Sequence, residues 1–203
     1  MPSPEKINTR EYWEKRYLEE DSPWEIGAPN VNLLESFIRL VKKTDRILIP
    51  GAGEGHEAAW LYERGYKNVF VSEWSDSARE KMLALYPDFP ENQILTADYF
   101  SLSGPYDAIL EQTFFCALTP DKRDAYLTHT RDLLTPDGLL YGVLFNRTFP
   151  EPGPPFGGSI DAYRNQFQQY FEIREISPWS GSIPPRKGTE CIIEMKPRRN
   201  PNR

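Results

Sequence analysis

The stretch RILIPGAGEGHEAAW, from Arg46 to Trp60, decides how the rest of the sequence is interpreted. It begins with an apolar run typical of a buried strand, continues with three glycines at alternate positions, and ends in a pattern typical of a helix. A glycine-rich turn from strand to helix lies at the carboxyl edge of an open sheet, where ligands and often nucleotide phosphates bind. The sequence therefore predicts a ligand site at this turn.

The spacing of these glycines argues against the two common phosphate-binding motifs. Gly51, Gly53 and Gly55 permit positive φ angles and a close approach of a ligand to the backbone. The dinucleotide fingerprint GxGxxG needs a glycine at position 56, but His56 stands there. A P-loop is excluded because no GK[ST] follows. We therefore expect a ligand that does not depend on a phosphate cradle.

Strands and helices alternate from this turn onward. The predicted strands are RILIP, NVFVSEW, QILTAD, YDAILEQ, GLLYGVLF, FEIREIS and ECIIEMK, and the predicted helices among them are HEAAWLYERG, SDSAREKMLALY, PDKRDAYLTHTRDLL and IDAYRNQFQQYF. Such alternation is typical of an α/β fold with a doubly wound, mostly parallel sheet, here seven-stranded, and helices on both of its faces. The last two strands are expected to form an antiparallel pair at one edge.

Two helices are predicted before the first strand, one from Thr9 to Asp21 with Thr9 as its N-cap and one from Val31 to Lys43. A length of 203 residues with 39% hydrophobic residues is enough for one substantial core and does not demand a second. We therefore expect a single domain over residues 1–203, with a frayed tail at residues 198–203.

The composition limits the partners and the compartment. A formal net charge of -6 argues against nucleic-acid or membrane partners, because both need a basic surface. The start of the sequence lacks an apolar signal region, and no apolar run has the length of a membrane span. Cys116 and Cys191 each lie in an apolar run, as reduced core cysteines do. We predict a cytoplasmic monomer that acts on a small molecule.

Two acidic residues follow predicted strands and face the same edge. Glu73 lies about 20 residues beyond the glycine turn, where a carboxylate can accept hydrogen bonds from both hydroxyls of a ribose. Asp98, followed by Tyr99, closes the third strand. Its carboxylate either receives the amino group of an adenine or caps the next turn, and capping is the simpler interpretation. Together these acids favour an adenosine-containing ligand.

The fourth strand ends in EQTFFCALTP, which places Gln112, Thr113 and Phe114 at the carboxyl edge. No phosphate-binding lysine accompanies the glycine turn. S-adenosylmethionine matches this pattern because it joins adenosine to a sulfonium amino acid without a phosphate. His56 and His129 have no neighbours at triad-like or metal-like spacing, so the sequence predicts no metal site, and His129 is expected at the surface.

Several motifs, taken in order, resemble a known family. ILIPGAGEGHE, VSEWS, ADYF, LEQTFFCALTPDKR and LLTPDGLLYGVLF are similar to segments of the thiopurine, thiol and halide methyltransferases that use S-adenosylmethionine. PGPPF, from Pro152 to Phe156, is similar to the GPP[FY] loop of that family. Trp13, Tyr17 and Trp24 stand where members of the plant branch carry three tryptophans. The resemblance extends from about Trp13 to Glu194.

The resemblance implies a Rossmann-like class I methyltransferase fold with an N-terminal helical lid over about residues 1–43. It also implies the roles of individual residues. The implied cofactor-binding residues are Trp13, Tyr17, Trp24, Gly51, Gly53, Gly55, Glu73, Asp98, Tyr99 and Gln112. The expected acceptor-binding residues are Phe114, Phe115, Pro154, Pro155, Phe156 and Arg186. The position of Arg186 is open at this point, since it either faces the pocket or is a solvated loop charge.

Methyl transfer to a soft nucleophile can depend on positioning in an apolar pocket, so no catalytic base is assigned. The acceptor is a thiopurine or another thiol, or a halide, thiocyanate or hydrosulfide, and the sequence does not choose among them. Two alternatives are a nucleotide-dependent oxidoreductase and a binding module that holds S-adenosylmethionine without catalysis.

Overall fold

A computed structural model describes residues 4–151 and 153–198 of the chain. The strands are β1 (Ile47–Pro50), β2 (Val69–Ser72), β3 (Ile94–Leu95), β4 (Tyr106–Gln112), β5 (Leu134–Phe145), β6 (Phe171–Pro178) and β7 (Glu190–Pro197). The α-helices are α1 (Pro4–Ile7), α2 (Arg10–Leu18), α3 (Val31–Phe37), α4 (His56–Glu63), α5 (Asp76–Leu85), α6 (Arg123–Leu133) and α7 (Ile160–Phe167).

The seven strands form one sheet in the order β3-β2-β1-β4-β5-β7-β6. Within the set β1 to β5, every pair of neighbouring strands is parallel. Ile49 lies opposite Val71, and Leu48 lies opposite Ile109. Strand β7 runs antiparallel to both β5 and β6. The prediction of a mostly parallel, seven-stranded sheet with an antiparallel last pair at its edge is confirmed.

Apolar cores cover both faces of this sheet because the side chains of a strand alternate between faces. In β1, Ile47 and Ile49 join a core with α3, α4 and α5, whereas Leu48 joins a core with α6 and α7. All four residues of β1 are buried, as expected for a central parallel strand. The sheet therefore brings the ends of β1, β2 and β4 together at one edge between the two helical layers.

Some elements are shorter than the sequence predicts. The helix expected over residues 31–43 ends at Phe37; beyond it Ile38 and Val41 still pack against the core, but Leu40 is 44% exposed. Helix α2 ends at Leu18 instead of Asp21, although Thr9 does cap it through a bond from the Tyr12 amide. Strand β3 has only two residues, Ile94 and Leu95, which pair with Val71 and Ser72 of β2.

Parts of three predictions fall outside the described residues. These parts are residues 1–3 of the lid, Pro152 of the PGPPF loop and residues 199–203 of the tail. Arg198, the first residue of the predicted tail, is bound instead of frayed, since its amide donates to the Tyr170 carbonyl and its Nε to the Phe171 carbonyl. Among the helices of residues 4–151 and 153–198, none has the length and apolar character to cross a bilayer.

Candidate functional site

A cavity of about 380 Å³ lies at the carboxyl edge of β1, β2 and β4. Its floor comes from the glycine turn and the strand ends, and its walls come from the N-terminal segment and from the loop that contains Pro154 and Pro155. Apolar and aromatic side chains form most of this wall, and a few charged groups interrupt it. A concave, mostly apolar site with few polar groups is typical of small-molecule binding.

The glycine turn is shaped by what packs against it. Gly51 has φ 57°, and a Cβ there would collide with the Phe114 ring. Gly53 has φ 56°, and a Cβ there would lie 2.9 Å from the Tyr17 hydroxyl. Only glycine meets both the conformation and the space at these positions. The turn therefore keeps its backbone open toward the pocket.

Glu73 is the acid of the floor. It is buried, with its Oε2 accepting from the Gly53 amide at 2.8 Å and its Oε1 accepting from the Ser75 amide at 3.0 Å. Burial raises the pKa of this carboxyl to about 7, although the backbone hydrogen bonds oppose the rise. A carboxylate has about four acceptor positions, so two remain for donors in the pocket. This arrangement suits a pair of ribose hydroxyls.

Asp98 both lines the pocket and caps a turn. Its Oδ1 accepts from the Phe100 amide at 3.0 Å, which starts a short 3-10 helix over residues 99–101. The capping interpretation is therefore confirmed, and because the residue also lies in the cavity wall, its contact with an adenine stays a prediction.

Tyr99 contributes its ring, not its hydroxyl, to the wall. The hydroxyl is 2.7 Å from Thr130 Oγ1 inside the core, and the ring packs at 5.0 Å from the Phe114 ring. Its carbonyl lies 2.8 Å from Nε2 of His129, whose ring also packs on Tyr99. The prediction that His129 lies at the surface is wrong, because this contact makes it half-buried.

Glu111, which no sequence pattern singles out, organises the end of β4. Its side chain is fully buried, Oε1 accepts from the amides of Phe114 and Phe115 at 2.9 and 2.8 Å, and Oε2 accepts from the Tyr126 hydroxyl at 2.7 Å. Burial raises its pKa to about 7. The available signal was an acidic residue near the end of a predicted strand, directly after the apolar run AIL.

This turn sends adjacent aromatic residues in opposite directions. Thr113 has φ 63°, a left-handed conformation that is uncommon for threonine. Phe114 lines the cavity, whereas Phe115 is fully buried against Tyr126 and Tyr163. The prediction that Phe115 contacts the acceptor is therefore wrong, because its ring belongs to the core behind the pocket.

Four other predicted site residues are not part of the cavity wall: Gly53, Gly55, Gln112 and Phe156. Gly53 meets the site through the bond of its amide to Glu73. Gly55 begins helix α4 and faces Met82 of α5. Oε1 of Gln112 is buried and makes no hydrogen bond, and the next residue, Thr113, lines the cavity where Gln112 was expected. Phe156 anchors its loop by backbone bonds, from its amide to the Cys116 carbonyl and from Arg123 to its own carbonyl.

The N-terminal segment covers the pocket with three aromatic rings. Trp24 packs edge-on against Trp13 and Tyr17 at 5.4 and 5.6 Å, and its Nε1 donates to the Tyr17 hydroxyl at 3.2 Å. All three rings line the cavity. Glu14 of α2 holds this cover in place by accepting from the hydroxyl of Ser75 at 2.6 Å, two residues after Glu73.

Cys116, Phe145, Pro154, Pro155 and Arg186 form what we call the acceptor end of the pocket. Cys116 is buried as predicted, yet its side chain is part of the pocket wall, where its Sγ donates to the Thr113 carbonyl at 3.1 Å. Burial raises the pKa of this thiol to about 12. It therefore stays protonated at neutral pH.

Arg186 faces the pocket and not the solvent. The residue is 9% exposed, its guanidinium lies 5.6 Å from the Phe145 ring, and its Nη2 donates to the Trp24 carbonyl at 3.0 Å. Nη1 is buried without a hydrogen bond, 3.7 Å from Glu190 Oε1. The acceptor end thus contains a cation with a donor that is not fully used.

Comparison with known proteins agrees with this geometry. The family model for thiopurine S-methyltransferase matches residues 8–197. Thiocyanate methyltransferase 1 of Arabidopsis thaliana is 28% identical over 216 residues, which cover 97% of this chain and 92% of that relative. The thiopurine S-methyltransferase of Marinobacter nauticus is 24% identical, over 82% of this chain and 84% of its own length. The relatives are therefore matched over nearly their whole length.

Solved structures share the fold. The 1,6-didemethyltoxoflavin-N1-methyltransferase of Burkholderia thailandensis, solved with S-adenosylhomocysteine, has a TM-score of 0.74 at 15% identity, covering 98% of this chain and 92% of its own. The magnesium protoporphyrin IX methyltransferase of Synechocystis, solved with S-adenosylmethionine, has a TM-score of 0.70 at 16% identity, with 98% and 99% covered. These similarities confirm the class I methyltransferase fold.

The residues present fit S-adenosylmethionine. Glu73 offers two free acceptor positions, Asp98 lies in the adjacent wall, and the absence of a Cβ at Gly51 lets the Phe114 ring pack against the turn at the pocket wall. The pocket holds no run of lysine and glycine of the kind that binds phosphate. The oxidoreductase and the non-catalytic alternatives lose their support, since geometry, family and fold agree. The chain belongs to the thiopurine S-methyltransferase family, and it is a methyltransferase whose cofactor is S-adenosylmethionine.

Proposed function

We propose that this enzyme methylates a small, soft anion, such as thiocyanate, hydrosulfide, a halide or a small thiolate, in preference to a thiopurine. The observation that carries the proposal is Arg186, a buried cation with an unused donor at the acceptor end. Its neighbours Phe145, Pro154 and Pro155 are apolar, and the carboxylate with which an anion shares the guanidinium is Glu190, 3.7 Å from Nη1.

The size of the cavity supports a small acceptor. Its volume of about 380 Å³ is near the lower end of the range of roughly 300 to 1,000 Å³ for sites that hold one drug-sized ligand. The name of the Arabidopsis thaliana relative, a thiocyanate methyltransferase, is consistent with such an acceptor.

The proposed roles at the cofactor end follow the geometry. Glu73 accepts hydrogen bonds from the ribose, Asp98 and the Tyr99 ring flank the adenine, and the backbone of residues 51–53 faces the methionine portion. Trp13, Tyr17 and Trp24 close over the bound cofactor and exclude water. Bound S-adenosylmethionine supplies a methyl group on a positively charged sulfur, which a nucleophile takes by in-line displacement.

The remaining residues position the acceptor without taking a proton from it. Arg186 holds the anion, and the apolar wall removes its hydration, which raises the reactivity of a soft nucleophile. Cys116 does not compete as a methyl acceptor, because its raised pKa of about 12 keeps it a thiol. Glu111 is enclosed by Tyr126 and two amides, so it is not available as a base.

A panel of acceptors tests the proposal. Methyl products from thiocyanate, iodide, hydrosulfide and 6-mercaptopurine are measured under the same conditions, and we expect kcat/KM to be higher for the small anions. Arg186→Gln should raise KM for thiocyanate at least tenfold with little change in S-adenosylhomocysteine affinity, as expected for a lost charge-assisted contact. Lys187→Gln, at the exposed neighbouring position, is the control. A preference for 6-mercaptopurine would contradict the proposal.

We further propose that the enzyme is a cytoplasmic monomer whose partner is a small molecule, with no nucleic-acid or membrane partner. The net charge of -6 supports this, because it repels phosphate backbones and anionic lipids. Size-exclusion chromatography with light scattering measures the mass of the species in solution, and a mass near 47 kDa instead of one chain's 23.5 kDa would contradict the monomer.

A further inference from the structure

Three side chains that have no part in the proposed reaction meet beside the glycine turn. Glu54 and His56 belong to the turn, and Glu25 belongs to the N-terminal segment. Nε2 of His56 lies 2.9 Å from Glu25 Oε1 and 3.9 Å from Glu54 Oε2. One donor atom from each of the three residues lies within 4.8 Å of those of the other two.

The imidazole of His56 is fixed with one nitrogen aimed at the carboxylates. The residue is 7% exposed, and its Nδ1 bonds to the Tyr86 hydroxyl. Nε2 is buried and forms an ion pair with Glu25 Oε1, an oxygen that also accepts from the amides of Ile26 and Gly27, and this carboxylate raises the pKa of the imidazole. A buried imidazole nitrogen between two carboxylates requires a positive charge beside it.

A ligand cation explains this arrangement. When Nδ1 donates to Tyr86, the positive charge between Nε2 and the two carboxylates is either a proton on Nε2 or a metal ion that replaces this proton. A hydrogen bond on the second ring nitrogen is also the usual way in which a metal-bound histidine is oriented. The contact with Tyr86 and the direction of Nε2 are therefore those of a metal ligand.

The charges around the cluster leave room for a cation. Lys81 Nζ lies 3.6 Å from Glu54 Oε1, the oxygen that does not face His56 most closely. Glu57 adds a further negative charge near the imidazole. One lysine therefore faces three carboxylates, and the cluster remains negative where Nε2 points.

We propose that Glu25, Glu54 and His56 bind one divalent transition-metal ion, Zn²⁺ or an ion with similar ligand preferences. One imidazole nitrogen and two carboxylate oxygens are ligands that Zn²⁺ accepts, with a water completing four-coordination. The imidazole disfavours Mg²⁺ and Ca²⁺, which prefer oxygen ligands alone. The partial exposure of Glu25 and Glu54, whose side chains are 18% and 16% exposed, gives the ion and its water a route to the site.

Such an ion joins the cover of the pocket to its floor. Glu25 directly follows Trp24, whose ring lines the cavity, and Glu54 directly follows Gly53, whose amide holds Glu73. The ion therefore favours the closed position of the N-terminal segment, the position in which it contacts the cofactor. By linkage, the ion and the cofactor each strengthen the binding of the other by the same factor. The identity of the acceptor does not enter this inference.

The first test measures metal binding directly and does not require an activity assay. EDTA-treated protein is titrated with ZnCl₂ by calorimetry and with CoCl₂ by visible absorption, where the spectrum reports the ligand set. We expect saturation at one ion per chain. Glu25→Gln, Glu54→Gln and His56→Gln should each weaken Zn²⁺ binding at least tenfold. Matched controls are Glu63→Gln, exposed on the same helix as His56, and His129→Gln, which removes the other imidazole.

The outcomes are distinct. Absence of saturable binding below about 1 mM, a value that corresponds to weak association, overturns the site. Equal loss in His129→Gln overturns the assignment of the ligands. Circular dichroism shows whether each variant is folded, so that a loss of binding is not a loss of structure. S-adenosylhomocysteine affinity is then compared with and without Zn²⁺, and an unchanged affinity in the wild type overturns the link between cover and floor.

Discussion

Two buried carboxylates, Glu73 after β2 and Glu111 near the end of β4, lie on either side of β1 and have almost the same chemistry. Each accepts two backbone hydrogen bonds, and burial raises the pKa of each to about 7. The two residues differ in how the remaining acceptor positions of each carboxylate are used. Glu111 gives its second oxygen to Tyr126, whereas Glu73 keeps acceptor positions open toward the pocket. Glu111 therefore uses both of its oxygens to hold the loop after β4, whereas Glu73 can still accept hydrogen bonds from a ligand.

The largest expected effect is on stability, when Glu111 is removed. Glu111→Ala leaves two amides and the Tyr126 hydroxyl as buried donors without partners. At roughly 1 to 3 kcal/mol for each unsatisfied group, partly relieved by water, the free energy of unfolding should fall by about 3 to 5 kcal/mol. Urea denaturation followed by tryptophan fluorescence measures this. A loss below about 1 kcal/mol would show that Glu111 does not hold the loop.

Glu111→Gln is the matched control, because an amide oxygen can still accept from the two backbone amides. Since burial raises the folded pKa of Glu111 above its ordinary value of 4.5, its stabilising contribution is complete below pH 4.5 and is lost as pH rises through about 7. Between pH 5 and pH 8 the wild type should therefore lose stability relative to Glu111→Gln.

The second prediction concerns binding at the open carboxylate. Glu73→Ala should weaken S-adenosylhomocysteine binding by about 1 to 3 kcal/mol, the range for charge-assisted hydrogen bonds to a ribose. Calorimetry measures the dissociation constant, and Glu80→Ala on the exposed side of α5 is the control. An unchanged dissociation constant would mean that the two open acceptor positions of Glu73 do not meet the ribose.

A pH titration of binding separates the two carboxylates further. Hydroxyl donors favour the ionised form of Glu73, whose pKa in the folded protein is raised to about 7 by burial. Affinity for S-adenosylhomocysteine should therefore rise as pH increases through 7, by up to about tenfold between pH 6 and pH 8, and then level off. Glu73→Gln should lose this slope and Glu111→Gln should keep it. Affinity that falls with increasing pH would contradict the assignment.

The smallest effects should come from the two phenylalanines that the Glu111 loop directs apart. Phe114→Leu should weaken cofactor binding by about 0.5 to 1.5 kcal/mol, the contribution of an aromatic contact, with little change in stability. Phe115→Leu should lower the free energy of unfolding by about 1 kcal/mol and leave binding unchanged. Calorimetry and urea denaturation on both variants measure this contrast. The same response in both would show that the loop does not separate pocket from core.

The fold could be predicted from the sequence because its signals are local. Alternating apolar strands and helices specify a parallel sheet, and the seven strands were found where they were expected. Glycine spacing at residues 51–55 and the acid at position 73 were informative for the same reason, since strand ends in such a sheet meet at one edge. Element ends were less predictable, as in α3, because burial and not helix propensity decides where a helix stops.

The details of the site were less predictable because they depend on side-chain direction. The sequence does not show that Thr113 adopts a left-handed conformation, and that conformation decides which phenylalanine faces the pocket. It also gives no sign that Glu25 approaches His56 across 31 positions of chain. Glu111 was overlooked because an acid at the end of a strand has no pattern of its own until its three donors are placed around it.

The strand order has a consequence for how the chain is made. Strand β7 lies between β5 and β6, so β5 keeps an open edge and β6 has no partner until the last described strand has been synthesised. Domains emerge from the ribosome N-terminal end first, and an unpaired, apolar strand edge is prone to association with other chains. The nascent protein therefore completes its sheet only after β7 has been translated, and chains interrupted before residue 190 should depend strongly on chaperones.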